Sequence, residues 1–140
     1  MAVIAKYLLD TSAAARMANP AVAGVLSPLI EGGVVATCAS LDAEALFSTR
    51  NPPEYEQIRE NRRRAYEYLP TDDRHWQAAF DVQRSLARSG RHRAVGIGDL
   101  LTAVLAAEHN LTIVHYDADF EAASEILAFP HRWVARRGSL

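Results

Sequence analysis

The sequence predicts an α/β chain: a three-layer α/β/α sandwich around a small, mainly parallel sheet. Three observations carry this. The runs Val3–Leu9, Val34–Cys38 and Leu111–Tyr116 are apolar, partly β-branched and too short for core helices, so they read as strands buried on both faces. Helical patterning separates them. Two of these runs end on an aspartate or lead straight into one, as strands of such a sheet do where they meet a binding crevice.

The elements follow in order. After the first strand, Asp10-Thr11-Ser12 opens a helix through Ala18, stopped by Asn19-Pro20. A second helix covers about Ala21 to Glu31, made irregular by Pro28, and Gly32-Gly33 breaks it before the second strand. Ser40 is the expected cap of a helix carrying Leu41, Glu44, Ala45, Leu46 and Phe47, which Asn51-Pro52-Pro53 ends. Glu54 to Leu69 reads as a charged helix. Pro70 and Thr71-Asp72-Asp73 start another, to Ser89, with Trp76, Phe80 and Leu86 expected inward. A polar loop at 89–93 precedes the helix opened by Gly98-Asp99, which ends near His109-Asn110. After the third strand come a turn and short helix (117–127), an extended segment (129–134) and a frayed tail.

The 140 residues suit one domain, 1–140, with no repeat, linker or low-complexity tract. At 49% hydrophobic and 23% charged, the chain can bury a core without staples. The single cysteine, Cys38, forms no internal disulfide and sits in an apolar run, where a buried thiol is expected. No apolar run approaches the roughly 20 residues of a membrane span, and the N-terminal run lacks a basic flank and cleavage site. A cytoplasmic protein without membrane contact is expected.

The formal net charge is -2, yet the 15 basic residues are all arginine except Lys6. They cluster at 62–64, 91–93 and 136–137, and arginine forks suit phosphate. Each cluster taken alone reads as a solvated face. The five histidines, 75, 92, 109, 115 and 131, lack metal-ligand spacing, and His115 reads as a packing residue.

Four acids stand where the sheet's crevice would be: Asp10 after the first strand, Glu44 one turn into the helix after the second, Asp99 at a helix start, and Asp117 after the third strand. Each aspartate could be a helix cap. Glu44 is one position beyond the capping-box site held by Ala43 and needs another partner. Carboxylates brought together need a compensating cation, and oxygen ligands without histidine or cysteine suit Mg2+ or Mn2+.

The runs Leu8-Leu9-Asp10-Thr11-Ser12-Ala13, Glu44-Ala45-Leu46, Gly98-Asp99-Leu100-Leu101-Thr102-Ala103 and His115-Tyr116-Asp117-Ala118-Asp119-Phe120 resemble the PIN-domain nucleases. Within them, they resemble the VapC toxins of prokaryotic toxin–antitoxin pairs. The resemblance implies a PIN-like fold and an endoribonuclease dependent on Mg2+ or Mn2+, with a quartet of Asp10, Glu44, Asp99 and Asp117. Asp10 and Asp99 would be primary metal ligands and Asp117 would help hold the metal. Glu44 would position or deprotonate the attacking water. Activated water would leave 5′-phosphate and 3′-hydroxyl ends. Thr11, Ser12 and Asp119 would be supporting residues, though capping or a turn would equally explain them. A homodimer, an RNA substrate and a cognate antitoxin partner are implied as well.

Arg91 and Arg93 are the first candidates for RNA contacts, and Asp42, outside the quartet, is expected to face solvent. The alternative is a PIN-like module that binds RNA or protein without catalysis. A phosphotransfer domain would need a lysine near the phosphoryl group. The only one, Lys6, lies about 13 Å from Asp10 at strand rise.

Overall fold

The computed structural model describes residues 2–140. Its elements are β1 (Tyr7–Leu9), α1 (Thr11–Ala14), α2 (Pro20–Glu31), β2 (Val35–Cys38), α3 (Ala39–Phe47), α4 (Pro52–Ala65), β3 (Glu67–Leu69), α5 (Asp73–Ala87), α6 (Ile97–His109), β4 (Thr112–His115), α7 (Asp119–Ser124) and β5 (His131–Trp133). The five strands form one sheet in the order β3-β2-β1-β4-β5, with every neighbouring pair parallel. The expected α/β/α sandwich is therefore present, with an all-parallel sheet.

The pleat divides the core into two layers, because successive side chains leave opposite faces of a strand. Leu8, Ala36 and Ile113 point to one cluster, with Leu86 of α5 and Leu100, Ala103 and Leu105 of α6. Leu9, Val35 and Val114 point to the other, with Ala13 of α1 and Val22 and Leu26 of α2. Sheet order reverses between β1 and β4, so β1 leads to Asp10 and β4 to Asp117 at adjacent strand ends. That is where a doubly wound sheet opens a crevice.

Local chemistry sets several boundaries. Asn19 caps α2 through Ala21 N–H, with Pro20 at its first position. Asp72 and His75 form a reciprocal capping box on α5. Asn110 adopts the left-handed conformation at φ 52°, ends α6 and turns the chain into β4.

The structure differs from the sequence expectations at several elements. The first strand is shorter than 3–9, and the first helix is a single turn. Ser40 does not cap α3: Cys38 holds that position without a side-chain bond, while Ser40 Oγ lies 3.2 Å from Cys38 Sγ. The 54–69 helix ends at Ala65, and residues 67–69 become an edge strand paired with β2. On α5 the buried stripe is His75, Ala79, Val82 and Leu86, which leaves Trp76 and Phe80 exposed. His115 is buried and stacks on Phe120 and His131, as its packing reading anticipates. Among the described residues no helix is long and apolar enough to cross a membrane.

Candidate active site

Asp10 leaves the end of β1 directly into α1 and is almost wholly buried. Its Oδ2 accepts from Ser12 N–H at 3.0 Å and Ser12 Oγ at 2.6 Å. This is the capping role considered from sequence, and it uses one oxygen. The other, Oδ1, is buried and has no hydrogen-bond partner among the described residues. Asp117 is built alike: Oδ1 accepts from Asp119 N–H at 2.9 Å at the start of α7. Ser12 Oγ also accepts from Tyr116 N–H at 2.9 Å, which stitches the end of β1 to the end of β4.

Glu44 sits exposed on α3, and Thr11 Oγ1 donates to its Oε1 at 2.5 Å. The partner that the sequence demanded for Glu44 is thus Thr11. Asp99 lies in the first turn of α6, whose N-cap is Gly96 without a side-chain bond. Asp99 therefore does not cap its helix at the N-cap position.

These side chains share a cavity of about 540 Å³ lined by Asp10, Thr11, Ser12, Glu44, Asp99 and Asp117. One oxygen from each of Asp10, Glu44 and Asp99 falls within 4.8 Å of the others, and the same holds for Asp99, Asp117 and Asp119. Asp99 belongs to both groups. Burial, followed by the charges of Asp10, Asp117, Glu44 and Asp119, pushes its carboxyl up to about 8. Burial also raises Asp10, against the lowering effect of its two Ser12 bonds. Asp119 is raised by burial and by Asp117.

The electrostatics follow from crowding: several carboxylates in one cleft cannot all ionise without a cation. The set fits a hard divalent ion, since every donor is an oxygen and the buried Asp10 Oδ1 has no other partner among the described residues.

Arg91 and Arg93 do not line this cavity. Arg91 pairs instead with Glu125 at 3.0 Å. The arginine in the wall is Arg62 of α4. Asp42 does not simply face solvent: its Oδ1 accepts from Arg62 Nε at 2.8 Å and from Thr37 Oγ1 at 2.7 Å. Sequence reading passed over Arg62 because it lies within the solvated-looking 62–64 run. Helical spacing was the usable signal, since 59, 62, 63 and 66 fall on one face.

Comparison with known proteins matches this architecture. The PIN domain family model matches residues 7–126. Ribonuclease VapC21 of Mycobacterium tuberculosis is 40% identical over 134 residues, covering 96% of this chain and 97% of that protein. Ribonuclease VapC51 of the same organism is 38% identical over 136 residues, with the same coverage of 96% and 97%. Among solved structures, DNA-bound VapBC from Salmonella typhimurium superposes with a TM-score of 0.74 at 17% identity, covering 94% of this chain and 99% of that one. VapBC-5 from Mycobacterium tuberculosis superposes with a TM-score of 0.56 at 26% identity, covering 91% and 97%. With this fold, this order of acids and relatives that match along nearly their whole length, the chain belongs to the PIN-domain family, in its VapC branch.

Proposed function

We propose that the protein is a metal-dependent endoribonuclease and the toxin of a toxin–antitoxin pair. The observation that carries this is the carboxylate cluster with its unpartnered Asp10 oxygen, in a chain whose full-length relatives are named ribonucleases. In this reading Asp10, Asp99 and Asp117 hold Mg2+ or Mn2+, with Asp119 in support. The bound ion supplies charge neutralisation at the scissile phosphate and acidifies water.

The remaining work falls to the chain's own groups. Glu44 takes the proton of the attacking water, since it is exposed in the same cavity as the buried Asp10 and the half-buried Asp99 and Asp117. Thr11 holds the Glu44 carboxylate through its hydroxyl and so sets the direction of proton transfer. Ser12 fixes the distance between the Asp10 and Asp117 loops. Attack by water instead of the RNA 2′-hydroxyl leaves a 5′-phosphate and a 3′-hydroxyl.

An antitoxin partner is supported by the toxin–antitoxin complexes among the similar structures, VapBC-5 among them. A homodimer is part of the same proposal. The test is incubation of purified, antitoxin-free protein with total bacterial RNA and Mg2+ or Mn2+, beside Asp10→Asn and EDTA controls. Discrete fragments with 5′-phosphates, missing from both controls, are expected. A folded protein that cleaves nothing with either metal overturns the catalytic reading in favour of a binding module.

A further inference from the structure

The last two turns of α4 carry four arginines, and the tertiary structure assigns them different surroundings. Arg64 pairs at 2.9 Å with Glu60, one turn earlier, on an exposed face. Arg62 is drawn inward: Nε donates to Asp42, an Nη donates to Thr37 Oγ1 at 3.1 Å, and the guanidinium lies 5.0 Å from the centre of the Tyr66 ring. Arg59 and Arg63 are exposed and join no ion pair among the described residues. Spacings of three and four residues put Arg59, Arg62 and Arg63 on one helical face.

That face borders a second cavity of about 360 Å³, which Tyr66 and Tyr68 also line. The two tyrosines are two residues apart at the β3 edge, and Tyr68 is 54% exposed. Arg62 is a wall of both this cavity and the carboxylate cavity, so the two adjoin. A chain leaving the carboxylates past Arg62 enters a groove of opposite charge.

The lining selects the occupant. Three guanidiniums face one carboxylate, Asp42, which is already engaged. Guanidinium forks match phosphate oxygens. The exposed Tyr68 ring offers a face to an unstacked base, which only a single strand presents freely, whereas the half-buried Tyr66 ring is already covered by Arg62. Leu46 is the sole aliphatic residue in the lining, so an apolar helix would find little to bury against.

We infer that this groove is an RNA subsite beside the cleavage centre, in which Arg59 and Arg63 hold backbone phosphates of a single-stranded stretch and Tyr68 stacks on one of its bases. Arg62 is the fixed wall between groove and carboxylates. The inference rests on the ribonuclease reading, but binding alone tests it, so its failure is separable from a failure of cleavage.

The experiment is fluorescence anisotropy with a labelled single-stranded RNA of mixed sequence, in EDTA, over a series of salt concentrations. Removing two phosphate contacts by Arg59→Ala with Arg63→Ala should weaken binding about tenfold at roughly 0.15 M salt. It should also lower the slope of log affinity on log salt by about 1.4. Both side chains are exposed, so melting temperature should not move, which confirms that the fold is kept. Tyr68→Ala should weaken binding about fivefold or more with an unchanged salt slope, and Tyr68→Phe should restore it. Unchanged RNA affinity and slope in the double arginine variant overturn the inference. So does a loss of antitoxin binding by that variant while RNA binding stays intact, which would make the groove a protein interface.

Discussion

The replacement Asp99→Asn should stabilise the metal-free protein at neutral pH while removing its response to Mg2+. An Asp whose folded pKa is raised costs nothing below its ordinary value of 3.8, where both states are protonated. As pH rises from there to about 8, the unfolded chain releases the proton freely while the native cleft retains it. Stability falls by up to about 1.4 kcal/mol per pH unit across that window. At pH 7.5 the limit, accumulated from pH 3.8, is about 5 kcal/mol, and water reaching the open side of the cleft reduces this to roughly 2.5 kcal/mol.

The opposing effect is smaller. The attraction between a carboxylate and the first turn of α6, worth about 0.3–1 kcal/mol, is lost only for the minority of native molecules ionised below about pH 8. At about 0.3 kcal/mol per degree for a chain of this length, the variant should melt roughly 5–8 °C above wild type near pH 7.5. Near pH 5 the difference should shrink to about a third of that, and below about pH 3.8 it should vanish. Differential scanning fluorimetry in EDTA across that range reads the difference between the two proteins, which cancels the titration of groups they share. Mg2+ should raise the melting temperature of the wild type more at pH 7.5 than at pH 5, and leave the variant unmoved. Parallel pH profiles for the two proteins would refute the crowding argument and make Asp99 an ordinary helix-start residue.

Three further outcomes follow from the same geometry. Thr11→Val removes the hydroxyl that holds Glu44, so cleavage of RNA should fall about tenfold in kcat with little change in KM or melting temperature. Ser12→Ala breaks the link between Asp10 and Tyr116 N–H and leaves that N–H without its partner, which should cost about 1–3 kcal/mol in urea denaturation. His115 is buried, and burial followed by the neighbouring His131 lowers its pKa from 6.5 to about 4. The unfolded chain therefore takes up a proton first as pH drops, and stability should fall between about pH 6.5 and 4. His115→Gln should flatten that acid limb in a series of thermal melts.

Much of this molecule could be read from its amino acids alone. Leu8-Leu9, Val35-Ala36 and Ile113-Val114 are apolar on both faces, and only a sheet covered on both sides accommodates such runs. That pattern, with Asp10 and Asp117 at the strand ends, determined the fold class and the edge of the sheet where the acids gather. Helix ends with strong local chemistry, such as Asn19-Pro20 and Asn110, were equally legible.

Only the tertiary structure decided the rest, because the causes lie outside any local window. Residues 67–69 form a strand because β2 lies alongside to pair with them. Trp76 and Phe80 share a helix with His75, Ala79 and Val82, and contact with α6 determines which face is buried. Arg62 and Asp42 stand 20 residues apart, and packing of α4 against α3 turns two surface-looking charges into one ordered pair. The Asp99 carboxyl rises to about 8 first because the fold buries it and then because carboxylates from other segments gather in the same cleft, and both causes exist only once the chain is folded.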